Sequence, residues 1–137
     1  MQQRFTASKV TTLENSPLIA FGDPQPSGAL RHSLVLSGDE ESSGVAAFQL
    51  EFNDHANTCR GDGIKAIELS NDHLRISFKP GCGIHAGTVG APQEDELSEL
   101  DVTFALDLKR VQQLASALAW LAHDTKVFRY TGSQLKR

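Results

Sequence analysis

The segment IKAIELSNDHLRISF, residues 64–78, constrains this chain more than any other stretch. Ile67 and Leu69 alternate with Ala66 and Glu68. Leu74, Ile76 and Phe78 alternate with His73, Arg75, Ser77 and Lys79. An apolar period of two marks a half-buried strand. Asn71 and Asp72 lie between the two runs, and both residue types tolerate positive φ, so the spacing predicts a tight two-residue hairpin turn. That turn pairs Leu69 with Leu74 and Ile67 with Ile76. Cross-strand partners share a face, so all four side chains are expected in the core.

The same alternation recurs at Phe48, Leu50 and Phe52 and at Val102, Phe104 and Leu106. Arg4 to Leu13, Leu18 to Phe21 and His32 to Leu36 read as strands, separated by the turn-forming GDPQPSG and followed by the acidic GDEESSG. Residues 80–98 are glycine-rich and then acidic, and read as a long irregular loop. Asp107 is a predicted N-cap. At 100° per residue, Leu108, Val111, Leu114, Ala115, Leu118, Leu121 and Ala122 form one helical stripe. Lys126 to Tyr130 is expected as a last edge strand, before a polar tail. Strands come first and the helix late, which predicts an α+β fold. The expectation is a mostly antiparallel β-sheet with one long C-terminal amphipathic helix packed on one face. Residues 1–137 form a single domain, with N-terminal strands and loops at 1–45, the sheet, hairpin and helix core at 46–130 and a polar tail at 131–137.

Length and charge narrow the function classes. The 137 residues match one domain, 39% hydrophobic and 22% charged, as in ordinary globular chains. A net charge of −4 argues against nucleic acid, which requires a clustered basic face. MQQRFTASKVTTLENSPLIAF lacks the apolar run of a signal peptide. No stretch approaches the roughly 20 apolar residues of a membrane span. The chain is therefore expected in the cytoplasm, away from membranes, with Cys59 and Cys82 as reduced thiols.

Candidate chemistry gathers around EFNDHANTCRGDG, residues 51–63. His55, Cys59, Cys82 and His85 are ligand types that zinc accepts, with Asp54 as an additional carboxylate. The spacing lacks the two close ligand pairs of a structural zinc site. Cys82 with His85 is the nucleophile–base combination, but both residues fall in one glycine loop, where no rigid element positions the base. The acids run together at Asp39 to Glu41 and Glu94 to Glu96, which suits solvated loops rather than an acid–base pair. The glycines lack the strand–turn–helix context of a phosphate loop. Arg60-Gly61-Asp62 matches an adhesion triplet, and the plainer reading is a turn in which Gly61 and Gly63 supply unusual backbone angles. Trp120 falls opposite the apolar stripe, near Gln113, Ser116 and Ala117 on the helical wheel. A tryptophan there suits a contact surface, or else another segment folds over it.

A strand ending FQLEFND runs into ANTCRGDGIKAIELS and then the hairpin NDHLRISF. Further on, DVTFALD meets LKRVQQLASALAWL. In this order, over roughly residues 46–121, the chain resembles immunity proteins of bacterial polymorphic toxin systems, in particular the small α+β group numbered ten among them. Where the group has an aromatic followed by adjacent glycines, this chain reads Arg60-Gly61-Asp62-Gly63. The resemblance implies a non-catalytic cytoplasmic antitoxin that binds and blocks a cognate toxin protein, with no cofactor. Trp120, Asp54, His55, Arg60 and Asp62 are the expected partner-binding residues. Two alternatives stand beside it: a small homo-oligomeric structural domain, such as a homodimer through Trp120, and a metal-binding protein using His55, Cys59, Cys82 and His85.

Overall fold

A computed structural model describes residues 2–13, 18–24, 30–38, 48–53, 57–86, 96–121 and 127–132. The strands are β1 (Gln2–Thr6), β2 (Lys9–Leu13), β3 (Leu18–Pro24), β4 (Leu30–Gly38), β5 (Phe48–Phe52), β6 (Thr58–Arg60), β7 (Ile64–Leu69), β8 (His73–Phe78), β9 (Glu99–Thr103) and β10 (Phe128–Tyr130). A single helix among the described residues, α1, spans Leu108–Leu121. The strands form two five-stranded sheets, ordered β1-β9-β8-β7-β10 and β2-β3-β4-β5-β6.

The α+β class and the predominance of antiparallel pairing stand as read from the sequence. The hairpin also holds, with Leu69 opposite Leu74 and Ile67 opposite Ile76. The two-residue turn is present as well, the Ser70 amide donating to the His73 carbonyl at 2.9 Å, but neither Asn71 nor Asp72 has positive φ. The residue in the left-handed region is Asn53, at φ 66°. There it ends β5: its amide donates to the Ser33 carbonyl, and its Oδ1 accepts from the Ser33 amide.

A single sheet covered on one face by a long C-terminal helix is not what forms. The stretch Arg4 to Leu13 breaks at Ala7-Ser8, where the chain crosses from one sheet to the other. Phe5 and Ala7 are buried, but the next buried residue is Val10, so the period-two phase flips at the crossing. The first sheet is mixed, because β1 pairs parallel with β9 and β10 pairs parallel with β7. α1 has 14 residues, and the edge strand expected at Lys126 to Tyr130 follows it as β10. The Asp107 cap is present, its Oδ1 accepting from the Arg110 amide at 2.8 Å. Val111, Leu114, Ala115, Leu118 and Leu121 are buried, and the helix touches β2 and β3 of one sheet and β10 of the other. It thus braces both sheets. The tail beyond residue 132 and the acidic stretch beyond Gly38 lie outside the described residues.

The outward face of the mixed sheet carries a registered row of alternating charge, Arg4–Asp101–Arg75–Glu68–Arg129, across its five strands. Opposite charges directly across a ladder stabilise the pairing weakly, and the row keeps this face wet. Asp101 is the exception in depth, at 5% exposure. It accepts from His73 Nε2 at 2.7 Å and Arg75 Nε at 3.1 Å. Burial pushes its carboxyl pKa up, but these two bonds outweigh burial and hold it below the ordinary aspartate value. A depressed folded pKa gives stability that is complete above the unfolded value of about 3.9 and is lost as the pH falls through the lower folded value. Asp101→Asn is therefore expected to be less stable than the native chain at pH 7, with the gap closing under acid. Thermal melts taken down the acid limb check this; a gap independent of pH would mean that the ionised carboxylate is not the stabilising form.

Candidate functional site

Two separate places on the fold hold the residues singled out from the sequence. The first is the edge of the antiparallel sheet. Thr58–Arg60 reads as loop by composition, yet forms β6 beside β5, with Leu50 opposite Cys59. Three residues are too few to display a period, and Cys59 is the one side chain of the three that is buried. The chain then makes one 3-10 turn, Gly61–Gly63, and enters β7. Gly61 and Gly63 do not adopt positive φ; Gly81 and Gly83 do, at 81° and 88°. Gly63 serves by close approach instead. A Cβ placed on it would lie 3.3 Å from Cys59 Sγ and 3.5 Å from Cys82 Cβ.

A cleft of about 500 Å³ opens here, lined among others by Cys59, Arg60, Asp62, Gly63, Lys79 and Cys82. Arg60 and Asp62 are exposed at its mouth. Cys59 is buried and Cys82 half-buried, and both are free thiols. Burial first, then the neighbouring Cys82 and Asp62, push the Cys59 pKa up to about 12. Burial also raises Cys82. Thiolate is the nucleophile and the metal ligand, so both sulfurs rest in their unreactive form at neutral pH. The hydrogen bonds of the Cys82 sulfur run to backbone: it donates to the Leu97 carbonyl at 3.7 Å and accepts from the Ile84 amide at 3.4 Å.

The stretch expected as a long irregular loop is anchored at both ends. Ile84, Ala86 and Leu97 are buried, and the Leu97 amide donates to the Ile84 carbonyl at 2.8 Å. His85 is bridged to Glu96, and its main chain is held on both sides by the buried Asn57 side chain. Of the four metal candidates, Cys59 and Cys82 come together, His85 belongs to this anchored segment and His55 lies outside the described residues. No group of three or more His, Cys, Asp or Glu suited to a metal ion occurs among the described residues. Lys79 enters the sequence reading only as an outward position of the hairpin strand, and Asn57 is an isolated polar residue with no periodic or motif signal.

The second place is the outer face of α1. Trp120 is 50% exposed, the sole large hydrophobic residue left open among those described. Lys109, Gln113 and Ser116 are exposed on the same face, and Ala117 is half-buried. The helix packs against β2 and β3, whereas β6 is at the opposite edge of that sheet. Three to four strand spacings, roughly 14–19 Å, therefore separate the strands under the helix from β6, which carries Arg60. The expected partner-binding set splits: Trp120 on one side, Arg60 and Asp62 on the other. Asp54 and His55 lie outside the described residues.

No helix among the described residues is long and apolar enough to cross a membrane. No family model, no curated protein and no solved structure matches the chain.

Proposed function

We propose that this protein is a non-catalytic, protein-binding inhibitor, an immunity protein that neutralises a cognate bacterial toxin domain in the cytoplasm through the outer face of α1. The observation that carries the reading is Trp120. Leaving half of an indole in water forgoes on the order of 2–3 kcal/mol of burial. That loss is recovered when a partner covers the ring. Exposed Ser116 and half-buried Ala117 beside it are short, so a partner's surface can reach the indole. Buried tryptophans of this kind dominate interface energetics. The net charge of −4 favours encounter with a basic partner over an acidic one.

The test is co-expression with the protein encoded upstream, followed by affinity purification and a growth assay. Stable co-purification with rescue of growth is expected. Trp120→Ala should weaken that complex about 30-fold, the equivalent of roughly 2 kcal/mol. Its own fold should persist with a thermal midpoint lowered by only a few degrees, because the covered half of the ring is lost while the rest of the core is untouched. A harmless neighbour that does not co-purify would remove the inhibitor reading. A Trp120→Ala protein that binds as tightly as the native chain would remove this face from it. A concentration-dependent dimer abolished by Trp120→Ala would assign the face to self-association instead.

A further inference from the structure

We propose that Cys59 and Cys82 are a redox-modification site: a low-molecular-weight disulfide converts them into an intramolecular disulfide that ties the edge of one sheet to the turn leaving the other. The two residues belong to different layers. Cys59 is the middle residue of β6 in the antiparallel sheet, and Cys82 follows β8 of the mixed sheet. They meet over Gly63. The position a Cβ would take on that glycine lies 3.3 Å from Cys59 Sγ, 3.5 Å from Cys82 Cβ and 3.7 Å from Cys82 Cα. With no side chain at residue 63 to separate them, the two cysteines lie close enough for Cys82 to contribute to the raised pKa of Cys59.

The backbone around Cys82 suits closure. Gly81 and Gly83 flank it, both in the left-handed region that glycine adopts without strain. A Cβ at Gly81 would touch nothing within 4 Å, so this corner has room to adjust. Each thiol gives up only weak sulfur hydrogen bonds on rotating: Cys59 its bond to the Arg60 carbonyl, Cys82 those to Leu97 and Ile84. Bridging requires Cα atoms within about 7 Å and facing Cβ vectors, and a turn between two positive-φ glycines supplies the remaining movement.

The exchange runs in two steps. Cys82, the less buried sulfur, loses its proton and attacks one sulfur of the oxidant RSSR, giving a Cys82–S–SR mixed disulfide and releasing RS⁻. The Cys59 sulfur, on losing its proton, attacks the Cys82 sulfur of that mixed disulfide and releases the second RS⁻. Two protein thiols are oxidised, one RSSR is reduced to two RSH, and the two protons end on the two leaving thiols. Raised pKa values make the exchange slow near neutrality and faster as the pH rises. Cys59 and Cys82 both line the 500 Å³ cleft, so the disulfide fixes two parts of its wall relative to each other.

The folded native protein is incubated with glutathione disulfide at pH 8.5, quenched in acid, and alkylated under denaturing conditions. Intact and tryptic mass spectrometry then read the thiols. The expected result is loss of both alkylation adducts, a mass decrease of about 2 Da, and the peptide ending at Arg60 joined to the one carrying Cys82. Reduction should restore both adducts. Two free thiols after prolonged incubation would overturn the proposal. So would a lasting glutathione adduct on Cys82 alone, disulfide-linked dimers, or a crosslink that appears only when denaturant is added.

Discussion

Asn57→Ala is expected to lower the unfolding free energy by about 2–4 kcal/mol, read as a shift of the urea midpoint at unchanged slope. The residue is 4% exposed, and its side-chain amide makes three hydrogen bonds to backbone. Nδ2 donates to the Phe52 carbonyl at 2.9 Å and to the His85 carbonyl at 2.8 Å, and Oδ1 accepts from the His85 amide at 2.9 Å. One residue thereby joins the end of β5 in the antiparallel sheet to the segment after β8 in the mixed sheet. Alanine strips partners from three backbone groups, and each buried group left unsatisfied costs about 1–3 kcal/mol. The total falls short of three full penalties because water can enter the vacated space. Asn57→Asp separates geometry from charge. It keeps an acceptor for the His85 amide but aims a carboxylate at two carbonyls. Its folded pKa is therefore raised, so its deficit should be largest at neutral pH and shrink as the pH falls and the carboxyl protonates. Hydrogen exchange at the His85 amide should accelerate in the alanine variant. A cost below about 1 kcal/mol, with His85 still protected, would mean that this side chain does not hold the segment in place.

What was legible in the sequence follows from how locally each feature is encoded. The register of Ile67–Leu69 against Leu74–Ile76 is written within ten residues, by two alternating runs and a short connection, and it stands. Asp107 and the stripe from Val111 to Leu121 are equally local, and the cap and the buried residues follow them. The parallel pairing of β1 with β9 joins Phe5 to Val102, and no short-range pattern specifies a partner at that separation. The division into two sheets hides in a single slip of phase between Ala7 and Val10. Positive φ also falls on residues other than those whose composition suits it, for a related reason. Asn71, Asp72, Gly61 and Gly63 have the composition of special turns, but the positive φ sits at Asn53, Gly81 and Gly83. Composition reports tolerance of that region; the path of the chain decides which residue uses it. The two cysteines are 23 positions apart in the sequence. They become neighbours only because β6 leads through one 3-10 turn into the hairpin, whose return strand then delivers Cys82 to Gly63.

The largest effect should come from Phe52→Ala, at about 3–5 kcal/mol. Phe52 is fully buried and closes β5 opposite Leu34. Its ring lies 6.3 Å from that of Phe5 in β1 and 6.5 Å from that of His32 in β4, while Phe5 and His32 stack at 5.2 Å. These three rings join the two sheets at the place where β1 crosses over the antiparallel layer. Alanine loses the transfer energy of the phenyl group and leaves a void that strands on two sides prevent from collapsing. The loss of about 0.5–1.5 kcal/mol in ring contacts adds to it. Against a typical total of about 5–15 kcal/mol, such a change leaves a marginal fold. Phe52→Leu keeps much of the volume and should cost less than about 1.5 kcal/mol, so the difference between the two variants measures the cavity itself. The outcome also tests the register. A one-residue slip of β5 would turn Phe52 to the outside, and both substitutions would then cost little. A large alanine penalty beside a small leucine one is the result that this packing requires.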